Sequence, residues 1–251
     1  SYQKNKFATT GQGLTMLNSL YQTPRDVSII SLQDQNDIFN SPGYFYTPYG
    51  VMNPYYILEN YLNEYDAERF YGKFQVDYDF LKYFKFTYRM GLDTTTGQSN
   101  RGEPNLYALF YEGTPNGEGM GSNSPFYGKE GSYSQQISRR REINQDLLLS
   151  FSMPINDFQI NALAGFNGNE RKYSYLYSSV SKLTIPTWYN LSNSAATPTV
   201  EQYLSLRRLM GVFGQVDLSW RNMLYVTLTA RNDWSSTLPK ENRSFFYPGA
   251  T

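Results

Sequence analysis

Between Arg69 and Asp93 the chain alternates apolar and polar residues along two adjacent runs. Phe70, Phe74, Val76, Tyr78 and Phe80 fall on one side, and Arg69, Lys73, Gln75, Asp77 and Asp79 on the other. After Leu81-Lys82-Tyr83 the pattern resumes, with Phe84, Phe86, Tyr88, Met90 and Leu92 set against Lys85, Thr87, Arg89, Gly91 and Asp93. A period of two on both sides of a tight link predicts an antiparallel hairpin. Each arm holds on the order of 10 residues, against about 5–6 in an ordinary strand and about 9–11 in one that crosses a bilayer. The oily side must therefore meet either a second sheet or hydrocarbon.

Two further hairpins repeat the design. Ile143, Gln145, Leu147, Leu149, Phe151 and Met153 alternate with Asn144, Asp146, Ser150 and Ser152, and Leu148 is out of pattern. The chain turns at 154–157 and continues with Phe158, Ile160, Ala162, Ala164 and Phe166. In the third, Met210, Val212, Val216, Leu218 and Trp220 return as Leu224, Val226, Leu228 and Ala230 across Arg221-Asn222. The hairpins lie near 69–93, 143–167 and 209–233. Between and around them run longer stretches at 11–66, 94–138, 174–205 and 237–251. The first should hold a short helix around Leu14, Leu17, Leu20 and Tyr21, ending before Pro24. A second short helix is expected near Val200 to Leu206.

Composition suits hydrocarbon better than a second sheet. Aromatics make up 17% of the chain, including 24 Tyr and 16 Phe, yet mean hydropathy is −0.57. Tyrosine hydroxyls want water or a partner, which suits girdles at a lipid–water boundary better than a dry core. No run approaches the roughly 18–20 apolar residues of a spanning helix. With 0 His and 0 Cys there is no imidazole base, thiolate or Ser-His-Asp arrangement within this chain. No carboxylate pair stands in a marked context, so neither an enzyme nor a cofactor or metal site is expected. The Asp34-Gln35-Asn36-Asp37 cluster lacks the glycine and distal glutamate of a calcium loop. Basic and acidic residues balance at 22 each, which gives no pull toward nucleic acid. Arg139-Arg140-Arg141 reads as a solvated rim.

Connections alternate short and long, as in outer-membrane barrels. About six strands and a partial one cannot close a barrel that needs about 8, and an open edge in lipid leaves amides unpaired. The fold class expected is therefore all-β, a segment of a larger antiparallel transmembrane barrel. The chain opens at Ser1 without a signal segment, as an internal piece would.

At the third hairpin a resemblance becomes specific. The run from Arg207 to Gly249 carries Phe213-Gly214-Gln215-Val216, Arg231-Asn232-Asp233, Ser235-Ser236 and Phe246-Tyr247-Pro248. It resembles the SusC/RagA-type TonB-dependent transporters of Bacteroidetes. Asn53 to Phe84 is similar to a second block of that family, and Asp146 to Met153 with Phe166 to Tyr173 to a third. The resemblance implies a barrel of about 22 strands, with short periplasmic turns and long extracellular loops. It implies import of glycan or peptide oligomers across the Gram-negative outer membrane, driven through the TonB complex. It also implies a SusD-like surface lipoprotein as a lid and outer-membrane lipid around the wall. The plug, the TonB box and the C-terminal strands are not expected in this chain.

Candidate cargo contacts follow from parity. Tyr173, Tyr175 and Tyr177 fall on the lumen side and offer a stacking platform for sugar rings or peptide side chains. A single bulge would reverse that parity. Trp188 and Tyr189, and Tyr44 and Tyr46 with Phe45, are further candidates, for cargo or for the lid. Arg69, Lys73, Lys85 and Arg89 with Asp77 and Asp79 should form an ion-pair lattice across strands. The competing readings are a siderophore-type receptor and a secreted glycan-binding or glycan-active β-sandwich.

Overall fold

A computed structural model describes residues 1–6, 15–41, 45, 51–110 and 129–251. Tyr44 and Tyr46 lie outside the described residues. Eight strands form one antiparallel sheet in simple sequence order. They are β1 (Tyr2–Lys6), β2 (Leu62–Phe80), β3 (Phe84–Glu103), β4 (Ser132–Ile155), β5 (Phe158–Ser181), β6 (Thr199–Trp220), β7 (Leu224–Ser235) and β8 (Ser244–Ala250). Short helices α1 (Met16–Gln22), α2 (Pro54–Asn60) and α3 (Leu106–Phe110) decorate one end.

The strands outrun the alternating stretches that announce them. β4 and β5 hold 24 residues each. At about 3.4 Å per residue that is roughly 80 Å of strand, where about 9–11 residues cross a bilayer. The segment 94–138 does not leave strand character where alternation ends. β3 continues to Glu103 and β4 begins at Ser132, paired throughout from Glu103↔Ser132 to Phe84↔Phe151. Where both faces of a strand are wet, polar residues occupy both, and period-two contrast vanishes while the backbone ladder persists. The tail after 237, expected as loop, likewise contains β8 on β7.

The helix expected near Val200 to Leu206 is a correction. That segment is the first part of β6 and pairs with β5 from Ser179↔Thr199 onward. The ladder against β5 overrides a weak helical pattern. In the pleat, Val200, Leu204 and Leu206 face one way, and Glu201, Tyr203 and Ser205 the other. The helix expected around Leu17 and Leu20 is present as α1, and Thr15 caps it by accepting a bond from the Asn18 amide at 3.4 Å.

Each strand pair runs in one register from end to end, with no slip in the β4–β5 or β5–β6 ladders. The sheet therefore has two unbroken faces. One carries Phe74, Phe86, Leu149, Phe166, Val216 and Val226; the other carries Gln75, Asp77, Arg89, Asp146, Gln215 and Asp217. Phe74, Phe86, Leu149 and Val226 remain 59%, 36%, 40% and 37% exposed. No second layer covers this apolar face among the described residues.

Buried apolar clusters gather instead at the long-loop end. Met52, Tyr56, Ile57 and Leu106 form one, Leu32, Phe45 and Val51 another, and Tyr133, Val180 and Leu183 a third. Asn53 ties the first two together. Its side-chain oxygen caps α2 by accepting from the Tyr55 amide at 2.9 Å. Its amide group donates to the carbonyls of Leu32 and Asn40, both at 2.7 Å. Asn53→Ala strips a helix cap and leaves two carbonyls without this donor. It should loosen this rim by about 2–4 kcal/mol. Hydrogen exchange should rise across 28–41 and 51–61 and stay unchanged in the middle of β4 and β5.

Candidate functional site: the polar face of the sheet

The polar face is a ladder of side-chain bonds. Near the short turns one arrangement occurs twice. Asp77 accepts from Thr87 Oγ1 at 2.6 Å and from Gln75 Nε2 at 2.8 Å. Asp217 accepts from Thr227 Oγ1 at 2.7 Å and from Gln215 Nε2 at 2.8 Å. The sequence carries the repeat openly, as Gln-Val-Asp with a threonine across the turn in both hairpins. Only laying one hairpin on the other brings it out.

Higher up, Phe213 lies flat across Gly165, its direct partner on β5. A Cβ at Gly165 would overlap the Phe213 ring. Above the ring sits Arg231, its guanidinium carbon 5.4 Å from the centroid, paired in turn with Asp233 at 2.8 Å. The residues that carry the family resemblance at this hairpin thus include one stacked unit on the polar face.

The ion-pair lattice exists in part. Lys85 meets Asp77 at 3.5 Å, Arg89 meets Asp146 at 3.8 Å, and Arg69 grips Asp93 through two bonds of 2.9 and 2.6 Å. Lys73 and Asp79 make no ion pair among the described residues. The Arg139-Arg140-Arg141 run is sorted by the pleat. Arg140 faces the polar side, in a recess of about 330 Å³ with Arg69, Asp93, Thr95 and Glu142. Arg139 and Arg141 face the other side.

Tyr173, Tyr175 and Tyr177 occupy the polar face, directly opposite Ser205, Tyr203 and Glu201 on β6. Tyr203 completes a cluster that the helical reading of 200–206 had hidden. Its ring stacks on Tyr175 at 5.4 Å, and Tyr173 lies 6.1 Å from Tyr175 and 6.2 Å from Tyr203. The Tyr175 hydroxyl donates to Glu201 Oε1 at 3.0 Å. Arg140 stands beside Tyr173 across the β4–β5 ladder. The arrangement offers broad aromatic faces, hydroxyl tips, one carboxylate and an adjacent cation.

The remaining candidates are placed elsewhere. Tyr189 packs near Tyr133, 6.2 Å between ring centres, with its ring over Gly102 and its hydroxyl bonded to the Asn60 carbonyl. Burial pushes the Tyr189 and Tyr56 hydroxyls well above the ordinary tyrosine range. Both rings are committed to rim packing. Trp188 is half-exposed beside it. Phe45 is buried against Leu32 and Val51. Asp34 and Asp37 accept bonds from the amides of Asn36 and Phe39, at 3.2 and 3.0 Å, and so serve their own turns.

Known proteins resemble this chain first in fold. Three solved structures of the RagAB peptide transporter share the fold, two with a TM-score of 0.66 at 15% identity, including the "closed-closed" state. The "open-open" state gives 0.61 at 16%. Each match covers 80% of this chain and 21% of the other. A curated relative, TonB-dependent receptor P3 of Formosa agariphila, is 23% identical over 243 residues, 95% of this chain and 22% of that protein. No family model matches. The chain thus spans about a fifth of the length of the proteins it is similar to. The solved structures show the fold, and the curated relative is in keeping with the TonB-dependent resemblance read from the third hairpin.

Proposed function

We propose that this chain forms wall and outer rim of an outer-membrane barrel of about 22 strands that imports nutrient oligomers, glycan or peptide, with energy passed through TonB. One observation carries the reading. From β2 to β7 the sheet keeps an apolar belt that nothing covers among the described residues and, behind it, a hydrogen-bonded polar face, with the buried clusters gathered at one end. A β-sandwich protein would bury that apolar face under a second sheet, so the soluble alternative fits poorly. The neighbours named as peptide transporters and a TonB-dependent receptor favour import over enzymatic work. In this reading the long loops stand outside the cell under a SusD-like lipoprotein lid.

The tyrosine cluster is the cargo contact. Tyr173, Tyr175 and Tyr203 would stack against rings or apolar faces of the passing oligomer, with Glu201 and Arg140 reading its polar groups. Tyr177 lies one row further out. Aromatic contacts are worth about 0.5–1.5 kcal/mol each. Changing Tyr173, Tyr175 and Tyr203 together to Ala in the full-length transporter should weaken cargo capture at least tenfold. The check is mass spectrometry of what the purified protein retains from a pool of oligosaccharides and peptides. Equal retention by wild type and variant would remove the platform from the account.

A further inference from the structure

Above the apolar belt the outward side of the sheet changes character within one or two rows. On β4 the positions following Ile143 on that side are Arg141 and Arg139; on β5 those beyond Phe166 and Gly168 are Glu170 and Lys172; on β6 the one beyond Met210 is Arg208. Arg243, in the connection between β7 and β8, arrives at the same corner. Glu170 is the one carboxylate of this group, and it is shared by Arg141 at 3.0 Å and Arg208 at 2.8 Å. Arg139, Lys172 and Arg243 make no ion pair among the described residues. Cations therefore outnumber acid on a surface that points away from the lumen.

Beside this cluster lies a cavity of about 380 Å³. Phe166, Met210 and Trp234 make its apolar wall, and Arg208, Arg243 and Ser235 line it with polar groups. A second recess, of about 220 Å³, adjoins it and shares Phe166, Met210 and Arg208. Solvated rim charges need no such hollow. A hydrocarbon groove that ends in arginines matches a molecule with an acyl tail and an anionic head.

The height is right for that molecule. From Met153 to Ile143 the outward side of β4 is apolar apart from Gln145. Ten residue steps at about 3.4 Å, tilted by about 40°, give roughly 25 Å, the height of the lipid-facing band of such barrels. The cations begin where that band stops. We propose that Arg208 and Arg243, with the Phe166–Met210–Trp234 groove, bind a phosphorylated, acylated glycolipid of the outer leaflet. Arginine is suited to phosphate, because its planar fork donates two parallel bonds. The assignment rests on the reading that the long-loop end faces outside the cell.

The test uses the full-length transporter in nanodiscs, with diphosphoryl lipid A and its dephosphorylated counterpart as probes and native mass spectrometry as readout. Wild type should retain the diphosphoryl form at least tenfold more than the dephosphorylated one. Arg208→Gln with Arg243→Gln should lose that preference. Arg243→Gln alone, which leaves the Glu170 pairs intact, should lose part of it. Lys73→Gln, on the polar face, should keep it. Equal retention of both lipids by wild type, or an unchanged preference in the double variant, would overturn the assignment. The import reading fails separately: cargo uptake would be absent while the lipid preference, and with it this site, stood.

Discussion

Val216→Arg should destabilise the folded barrel by about 2–4 kcal/mol, the cost of a cation on the lipid face near mid-bilayer. Gln215→Arg, one residue earlier, should change stability by no more than about 0.5 kcal/mol, as surface substitutions do. The two positions differ only in the direction the pleat gives them. Val216 sits in the outward row with Ala162 and Leu228, whereas Gln215 faces inward beside the Asp217 carboxylate, 2.8 Å away. An arginine at 215 gains that acid as a partner. Denaturant unfolding of the full-length protein in vesicles measures both. Equal, small effects would mean that neither face touches hydrocarbon.

The second large effect is Gly165→Val. A side chain there enters the space of the Phe213 ring, which lies across the glycine and under Arg231. Overpacking of this kind costs about 1–3 kcal/mol, and loss of the cation–ring contact adds about 0.5–1 kcal/mol. Gly168→Ala is the control, because a Cβ there meets the Phe166 ring at 3.4–3.6 Å, close but tolerable. Removing the ring should rescue the defect, so Gly165→Val with Phe213→Ala should cost less than the two changes summed. Simple additivity in that double-variant cycle would show that the ring and the glycine are not a unit.

The legible part of the fold was the part with a dry side. Wherever one face is apolar, as in Phe84–Leu92 or Phe158–Phe166, period two is plain and the hairpins can be drawn. Thr94–Glu103 and Ser132–Glu142 are strand all the same. Both of their faces are mostly polar, so nothing in their residue types records which way each points. Only the partner strand fixes them. That blindness hid Tyr203: the 200–206 segment, read alone, has leucines and a valine at spacings a helix could use. Parity across β5 was readable, and the unbroken β4–β5 register carries Tyr173 and Tyr175 to the polar face. Tyr189 lies in a loop, where an aromatic carries no period, and its ring packs over Gly102 and near Tyr133. The Asn53-Pro54 pair is an ordinary helix-start signal, an Asn cap before Pro at the first turn, set inside a stretch whose Asn, Tyr, Pro and Gly otherwise read as loop.

The central claim is that the two faces of this sheet meet two solvents. This chain contains 0 cysteines, so nitroxide labels on single introduced cysteines report one position at a time within it. Labels placed at each residue from 158 to 168 of the full-length protein in vesicles should be quenched alternately. Oxygen, which concentrates in lipid, should reach positions 158, 160, 162, 164 and 166 best, and a water-soluble nickel chelate the positions between them. Nickel access that is uniform along β5, or oxygen access peaking at the odd positions, would contradict a lipid-facing wall.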